Sequence, residues 1–145
     1  HAPHHAVFHD PGTDVVFTAD AAGIYVPAID TVRQTTPPPQ FDLDQCLRDI
    51  EQIAALEPEL LCFAHFGPRA YDPSILGTAK RAYVEWVEAV RSAREALPSD
   101  EAVVEHFETA SADHDFWNAE RRRADASLNT RGVLQFLDDR ADEAE

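Results

Sequence analysis

Three consecutive prolines, Pro37–Pro39, divide the chain into two parts that must fold differently. Proline fixes φ, lacks a backbone N–H and biases the residue before it away from helix, so "TTPPPQ" enforces an extended path. Upstream, apolar residues come in short β-favouring runs. "HHAVFH" and "VVFTA" are joined by "DPGTD", whose Pro11 and Gly12 suit a tight reversal. These runs predict a hairpin over the first twenty residues, then a loop from 21 to 40. Downstream, apolar residues at 43, 46, 47, 50, 53, 54 and 56 form one helical stripe. Asp42 is placed to cap that helix, and Pro58 falls just past its end.

"ELLCFAHFGP" (59–68) reads as a short, fully buried strand stopped by Gly67 and Pro68. A long amphipathic helix follows, with Asp72 as cap, Pro73 at its first position and Ile75, Ala79, Tyr83, Trp86 and Val90 on its buried stripe. A shorter helix spans 99–108 after Pro98. The rest is helical, with Asn129–Gly132 the one place open to interruption. Strands early and helices late predict an α+β fold: a sheet-and-helix layer over 1–72, with a helical extension over 73–145 packed on it.

The chain has 145 residues and is 44% hydrophobic, enough for a core. Twenty-seven acidic against twelve basic residues leave a formal charge of −15. That excludes unaided binding to nucleic acid or to an anionic membrane surface. No run approaches the roughly 18 apolar residues of a membrane span. No signal peptide is visible, and Cys46 and Cys62 sit in apolar patterns. Reduced thiols and a cytoplasmic location are the expectation. Methionine is absent, which suggests a processed chain or a fragment. Lys80 is the single lysine beside eleven arginines, and an acid-rich, lysine-poor composition is similar to that of proteins from high-salt organisms.

Ligand-type residues collect where strands end. Asp20 follows "VVFTA", His65 follows "LLCFA", and the chain opens with "HAPHH". Carboxylate oxygens and imidazole nitrogens are the donors of catalytic zinc and of non-haem iron or manganese. Taken singly, Asp20 is a turn residue and His65 a core histidine, while His4, His5 and His9 are the polar face of a strand. Spacings of nineteen and forty-five residues make no local finger. These donors converge only if three neighbouring strand ends share one sheet edge. "DHD" at 113–115 reads as a solvated helix start, and Arg121–Arg123 as solvated ion pairs pointing in different directions. Arg69, Tyr71 and Trp86 are candidates to line a pocket.

"HAPHHAVFHDPGTDVVFTADAAG" resembles the middle of metallo-β-lactamase-fold hydrolases, where a Gly-His-Thr/Ala-Pro-Gly/His-His segment precedes a hairpin ending in Phe-Thr-Gly-Asp. "LLCFAHFGP" resembles that family's later strand ending in Gly-His-Gly. "TTPPPQFDLDQCLRDIEQIAALEPE" resembles the loop and helix of its hydroxyacylglutathione-hydrolase-like branch. The resemblance covers roughly residues 1–70. It implies half of an αββα sandwich, with short strands near 4–9, 15–19 and 60–64.

It further implies two divalent cations, zinc foremost, with iron or manganese as alternatives. His1 matches the histidine ligand of the first site, Asp20 the carboxylate bridging both, and His65 the last histidine of the second. The implied reaction is attack of metal-bound hydroxide on a thioester, lactone or related ester of a small-molecule substrate, with Asp20 central to catalysis. Ala19 stands where the family has glycine. The family's His-x-His-x-Asp-His motif, which supplies four more ligands, occurs nowhere in the sequence. The resemblance therefore implies an incomplete C-terminal half, inactive by itself and an enzyme only where a parent chain supplies that motif. Two other classes stand beside it. One is a non-catalytic remnant whose exposed sheet face serves homodimerisation or a partner; the other is an iron-dependent oxidoreductase.

The charge makes a prediction of its own. Salt shortens the screening length from about 10 Å at 0.1 M to about 3 Å at 1 M, which relieves self-repulsion. The melting temperature is expected to climb by at least about 3 °C between those concentrations, on the order of 1 kcal/mol for a chain of this size. A flat or falling curve removes the high-salt reading.

Overall fold

The computed structural model describes residues 5–111 and 117–143. Among them, six strands in two sheets precede a helical C-terminal region, and four helices complete an α+β chain. Two compact units are distinguishable. One comprises the chain up to Thr35 together with Asp42–Glu85, the other Thr36–Phe41 together with the chain from Trp86.

In the first unit, β1 (Phe8–Asp10) and β2 (Val15–Ala19) form the expected antiparallel hairpin, with Phe8 opposite Phe17. The Asp10 carboxylate accepts from the Thr13 hydroxyl at 2.7 Å and the Gly12 N–H at 2.9 Å, which closes the reversal. Those two bonds, the hydroxyl first, hold the carboxyl below its ordinary range. Within the described residues β1 starts at Phe8, later than the strand expected from residue 4.

β2 runs parallel to β5 (Leu60–Phe63). Parallel neighbours need a long crossover, and α1 (Leu43–Ala55) supplies its helix. Asp42 caps α1 as expected, accepting the Gln45 N–H at 2.6 Å. β5 is buried on one face only and ends at Phe63, before Gly67 and Pro68, which open another strand instead of stopping the first. β6 (Gly67–Ala70) pairs antiparallel with β5, giving the order β1-β2-β5-β6. Proline is tolerated there because β6 is an edge strand.

The loop expected over 21–40 holds a second sheet instead, β3 (Ile24–Val26) against β4 (Thr31–Arg33). Its joining turn, Pro27–Ile29, ends at Asp30, whose carboxylate accepts from the Tyr25 hydroxyl and the Arg69 guanidinium, each at 2.9 Å. The Arg69 bond is the larger cause of the lowered Asp30 pKa. Arg69 is thus committed to an ion pair, and Tyr71 donates to the Ala54 carbonyl at 3.3 Å.

One face of the four-stranded sheet, carrying Val16, Thr18, Leu61 and Phe63, is buried together with Ile50 and Ile53 of α1 and Leu76, Ala79 and Tyr83 of α2 (Pro73–Ala96). Burial pushes the Tyr83 hydroxyl pKa well up. The other face carries Phe8, Phe17, Cys62 and Pro68 in one cross-strand row, with Phe8 67% and Phe17 49% exposed. Cys46 is buried, Cys62 partly so, and neither is in a disulfide.

The second unit joins the end of α2 with α3 (Asp100–Ala110) and α4 (Ala119–Asp142). Ser99 and Asn118 cap the two helices. Arg94 pairs with Asp100 of α3 at 3.0 Å and Asp138 of α4 at 2.7 Å. The "DHD" at 113–115 lies outside the described residues. Arg121 lies over the Trp117 ring, 5.3 Å from its centroid. No described helix is long and apolar enough to cross a membrane.

α4 passes through Asn129–Gly132 without interruption, and the reason is tertiary. Asn129 Oδ1 accepts the Thr36 N–H at 2.5 Å, and its Nδ2 donates to the Asp125 carbonyl at 2.8 Å. The Thr36 hydroxyl donates to the Asn129 carbonyl at 2.8 Å. A Cβ on Gly132 would lie 1.7 Å from the Thr36 carbonyl oxygen. Asparagine and glycine are weak helix formers, but only this pair lets the Thr36–Pro37 backbone press against the helix.

Trp86 departs from its expected full burial. Val87 and Val90 are sealed, whereas the Trp86 ring is half-buried, edge-on to Phe107 at 4.8 Å, with Nε1 donating to Thr36 Oγ1 at 3.3 Å. Gly132→Ala is therefore expected to be the more damaging change, costing about 3 kcal/mol through overpacking against backbone. Trp86→Ala is expected to cost about 2 kcal/mol, below the range of a fully buried ring. Urea unfolding of both variants checks the order; a Gly132→Ala protein as stable as the parent contradicts the close approach.

Candidate metal centre

The sequence requires three strand ends to meet at one sheet edge, and the described structure brings two of them together. β2 and β5 are adjacent and parallel, so both finish on the same side. Their register is Phe17 opposite Cys62, then Ala19 opposite Phe63, which leaves Thr18 as an extra residue on β2. Such a bulge bends a strand and re-aims the side chains after it. Thr18 is fully buried, and its hydroxyl lies within hydrogen-bond reach of the Ala19 carbonyl at 3.1 Å and the Cys62 carbonyl at 3.3 Å. The hydroxyl thus bridges the two strands at the point where their ladder is irregular.

Immediately after the bulge, Ala19 takes φ +45°, the left-handed region that a side chain disfavours. The chain then turns, with the Ala21 N–H on the Thr18 carbonyl and the Gly23 N–H on the Asp20 carbonyl, each at 3.0 Å. On the neighbouring strand, Ala64–Phe66 form a three-residue hairpin loop into β6, with Phe66 at φ +68° and Gly67 at φ +95°. The Ala64 N–H donates to the Ala19 carbonyl at 3.3 Å and ties the two ends together. Both candidate ligands thus adjoin a left-handed non-glycine residue, a strained feature that recurs at functional sites.

The result is a carboxylate beside an imidazole. Asp20 Oδ1 and His65 Nε2 lie 3.5 Å apart, with the Asp20 side chain 20% and the His65 side chain 49% exposed. His65 is therefore not a core histidine but stands at the lip of the sheet. His5, taken from the sequence as part of a polar strand face, is a third neighbour: the Asp20 N–H donates to its Nε2 at 3.3 Å. The signal for it lay in the hairpin register. Phe8 opposite Phe17, His9 opposite Val16 and Asp10 opposite Val15 continue to place residue 5 opposite residue 20. His9 does behave as a surface residue, with Nε2 3.3 Å from Asp14 Oδ1.

His1 lies outside the described residues. Among the described residues, no group of three or more His, Cys, Asp or Glu side chains is arranged to hold a metal ion. The Asp20–His65 pair fits a divalent cation in donor chemistry and is short in number, since catalytic zinc normally keeps three protein ligands.

Residues 1–65 match the family model of the metallo-beta-lactamase superfamily. Among solved structures, the chain is similar to an archaeal metallo-beta-lactamase superfamily protein from Sulfolobus tokodaii, with 21% identity over 84% of this chain and a TM-score of 0.51. At that identity the likeness is one of fold. This chain spans 38% of the length of the archaeal one. The comparison with curated proteins found no match.

The backbone at Ala19 yields a prediction. Left-handed φ costs a non-glycine residue about 1–2 kcal/mol, and glycine returns part of that through its freer unfolded chain. Ala19→Gly is expected to stabilise by about 0.5–1 kcal/mol, read from the midpoint of urea unfolding. A lower midpoint contradicts the strained turn.

Proposed function

With residues 1–65 belonging to the metallo-β-lactamase superfamily, we propose that this chain carries part of the metal centre of a hydrolase acting on a thioester, lactone or related ester. The observation that carries the reading is the approach of Asp20 to His65 at two adjacent strand ends, 3.5 Å apart. Together with His1, these side chains would hold divalent cations, zinc foremost, and Asp20 would serve both sites. Bound cations supply a Lewis acid that acidifies water and polarises a carbonyl.

The chain's own part is positioning. The bulge at Thr18 aims Asp20, and the hydrogen bond from its N–H to His5 fixes the backbone from which the carboxylate projects. The short loop between β5 and β6 presents His65 half in solvent, where a solute can reach it. The net charge of −15 favours the approach of cations. The proline-rich segment and α1, residues 35–59, support placing the chain in the hydroxyacylglutathione-hydrolase-like branch. The remaining ligands belong to the His-x-His-x-Asp-His motif that the whole protein would supply. The 145-residue chain alone is expected to bind zinc weakly and to turn nothing over.

Calorimetric zinc titration tests this. Asp20→Ala and His65→Ala are each expected to lower zinc affinity by at least about tenfold, and Asp14→Ala, remote from the pair, to leave it unchanged. Unaltered affinity in Asp20→Ala contradicts the assignment. Zinc-dependent thioester or lactone hydrolysis by the 145-residue chain contradicts the division of the centre.

A further inference from the structure

A cleft of about 500 Å3 opens between the approach to β1 and helix α1. It is joined to the candidate centre through one residue. His5 lines the cleft while its Nε2 takes the Asp20 N–H at 3.3 Å. A molecule seated there lies against a side chain that is hydrogen-bonded to the Asp20 backbone.

The lining specifies a chemistry. Val7, Leu56 and three further aliphatic side chains make much of the wall. His5, His9, Gln52 and Asp49 add hydrogen-bonding groups, and Asp49 Oδ1 already accepts from Gln45 Nε2 at 2.7 Å. Among the described lining residues there is a carboxylate and neither lysine nor arginine. Phosphate and carboxylate ligands are held by guanidinium, ammonium or imidazolium groups. Here His5 Nε2 already takes the Asp20 N–H and His9 Nε2 lies 3.3 Å from Asp14 Oδ1, so an anion would face Asp49 with neither lysine nor arginine to meet it. The chain's charge of −15 adds to that repulsion. An uncharged aliphatic acyl group meets no such cost, and Gln52 offers a donor to its carbonyl.

We propose that this cleft binds an uncharged aliphatic acyl group, so that the substrate is a carbonyl ester or thioester of a medium-length acyl chain and not a phosphoester. The substrate assignment rests on the hydrolase reading above; the binding preference is measured without it.

The test is a 1H–15N NMR titration of the 145-residue chain with octanamide and with octyl phosphate, in EDTA. Octanamide is expected to shift the signals of Val7, Gln52 and Leu56 and to bind at least about tenfold more tightly than octyl phosphate. Gln52→Arg, which places a cation in the wall, is expected to narrow or invert that preference. Octyl phosphate binding as tightly as octanamide to the parent chain overturns the proposal. So do octanamide shifts that fall elsewhere or are absent, or an unchanged preference in Gln52→Arg. Because EDTA removes metal, a failure here leaves the zinc titration standing, and a failed zinc titration leaves this result standing.

Discussion

The parallel pairing of β2 with β5, broken by one extra residue at Thr18, is the constraint on which the candidate site depends. Parallel pairing puts both strand ends on one edge and obliges the chain to travel the length of the sheet between them. That journey is the stretch from Asp20 to Leu60, which includes the β3–β4 sheet, the proline segment and α1. Without the bulge, the side-chain alternation after Phe17 would be opposite, and Asp20 would face the other side of the sheet. The buried Thr18 hydroxyl, near the Ala19 and Cys62 carbonyls, makes the irregularity tolerable inside a core. A buried irregular ladder left without such a donor would carry a desolvation cost of about 1–3 kcal/mol for each unsatisfied group.

A similar logic operates in the second unit. An extended proline segment cannot satisfy its own backbone, so Thr36 is bonded by Asn129 through both its N–H and its hydroxyl. Gly132 leaves the space that this contact needs. In each unit a local departure from ideal secondary structure is matched by one polar side chain placed to absorb it. Thr18 does so for the bulge and Asn129 for the proline segment.

These local devices also set what was legible in the sequence. Elements announced by their own residues were readable: the hairpin around Pro11–Gly12, the Asp42 cap of α1, and the Pro73 start of α2. The convergence of Asp20 and His65 was readable because motif order implied neighbouring strand ends. β3 and β4 were not, since three residues each leave no periodicity to detect, and their burial through Tyr25 and Val32 is a tertiary fact. β6 was masked by Gly67 and Pro68, which signal a stop unless the strand lies at an edge. The continuity of α4 was hidden because propensity at Asn129 and Gly132 opposes helix, and packing against Thr36 overrides it. His5 was hidden for a different reason. Its role follows from hairpin register and not from residue type.

On the proposed reading, the bulged end of β2 and the loop after β5 present one shared cation site. Anomalous diffraction at the zinc edge, from crystals of the chain grown with zinc, tests it most directly. The expected result is a peak about 2.0–2.2 Å from both an Asp20 carboxylate oxygen and His65 Nε2. Zinc bound at other side chains, with Asp20 and His65 left without it, would rule out a site shared by the two strand ends.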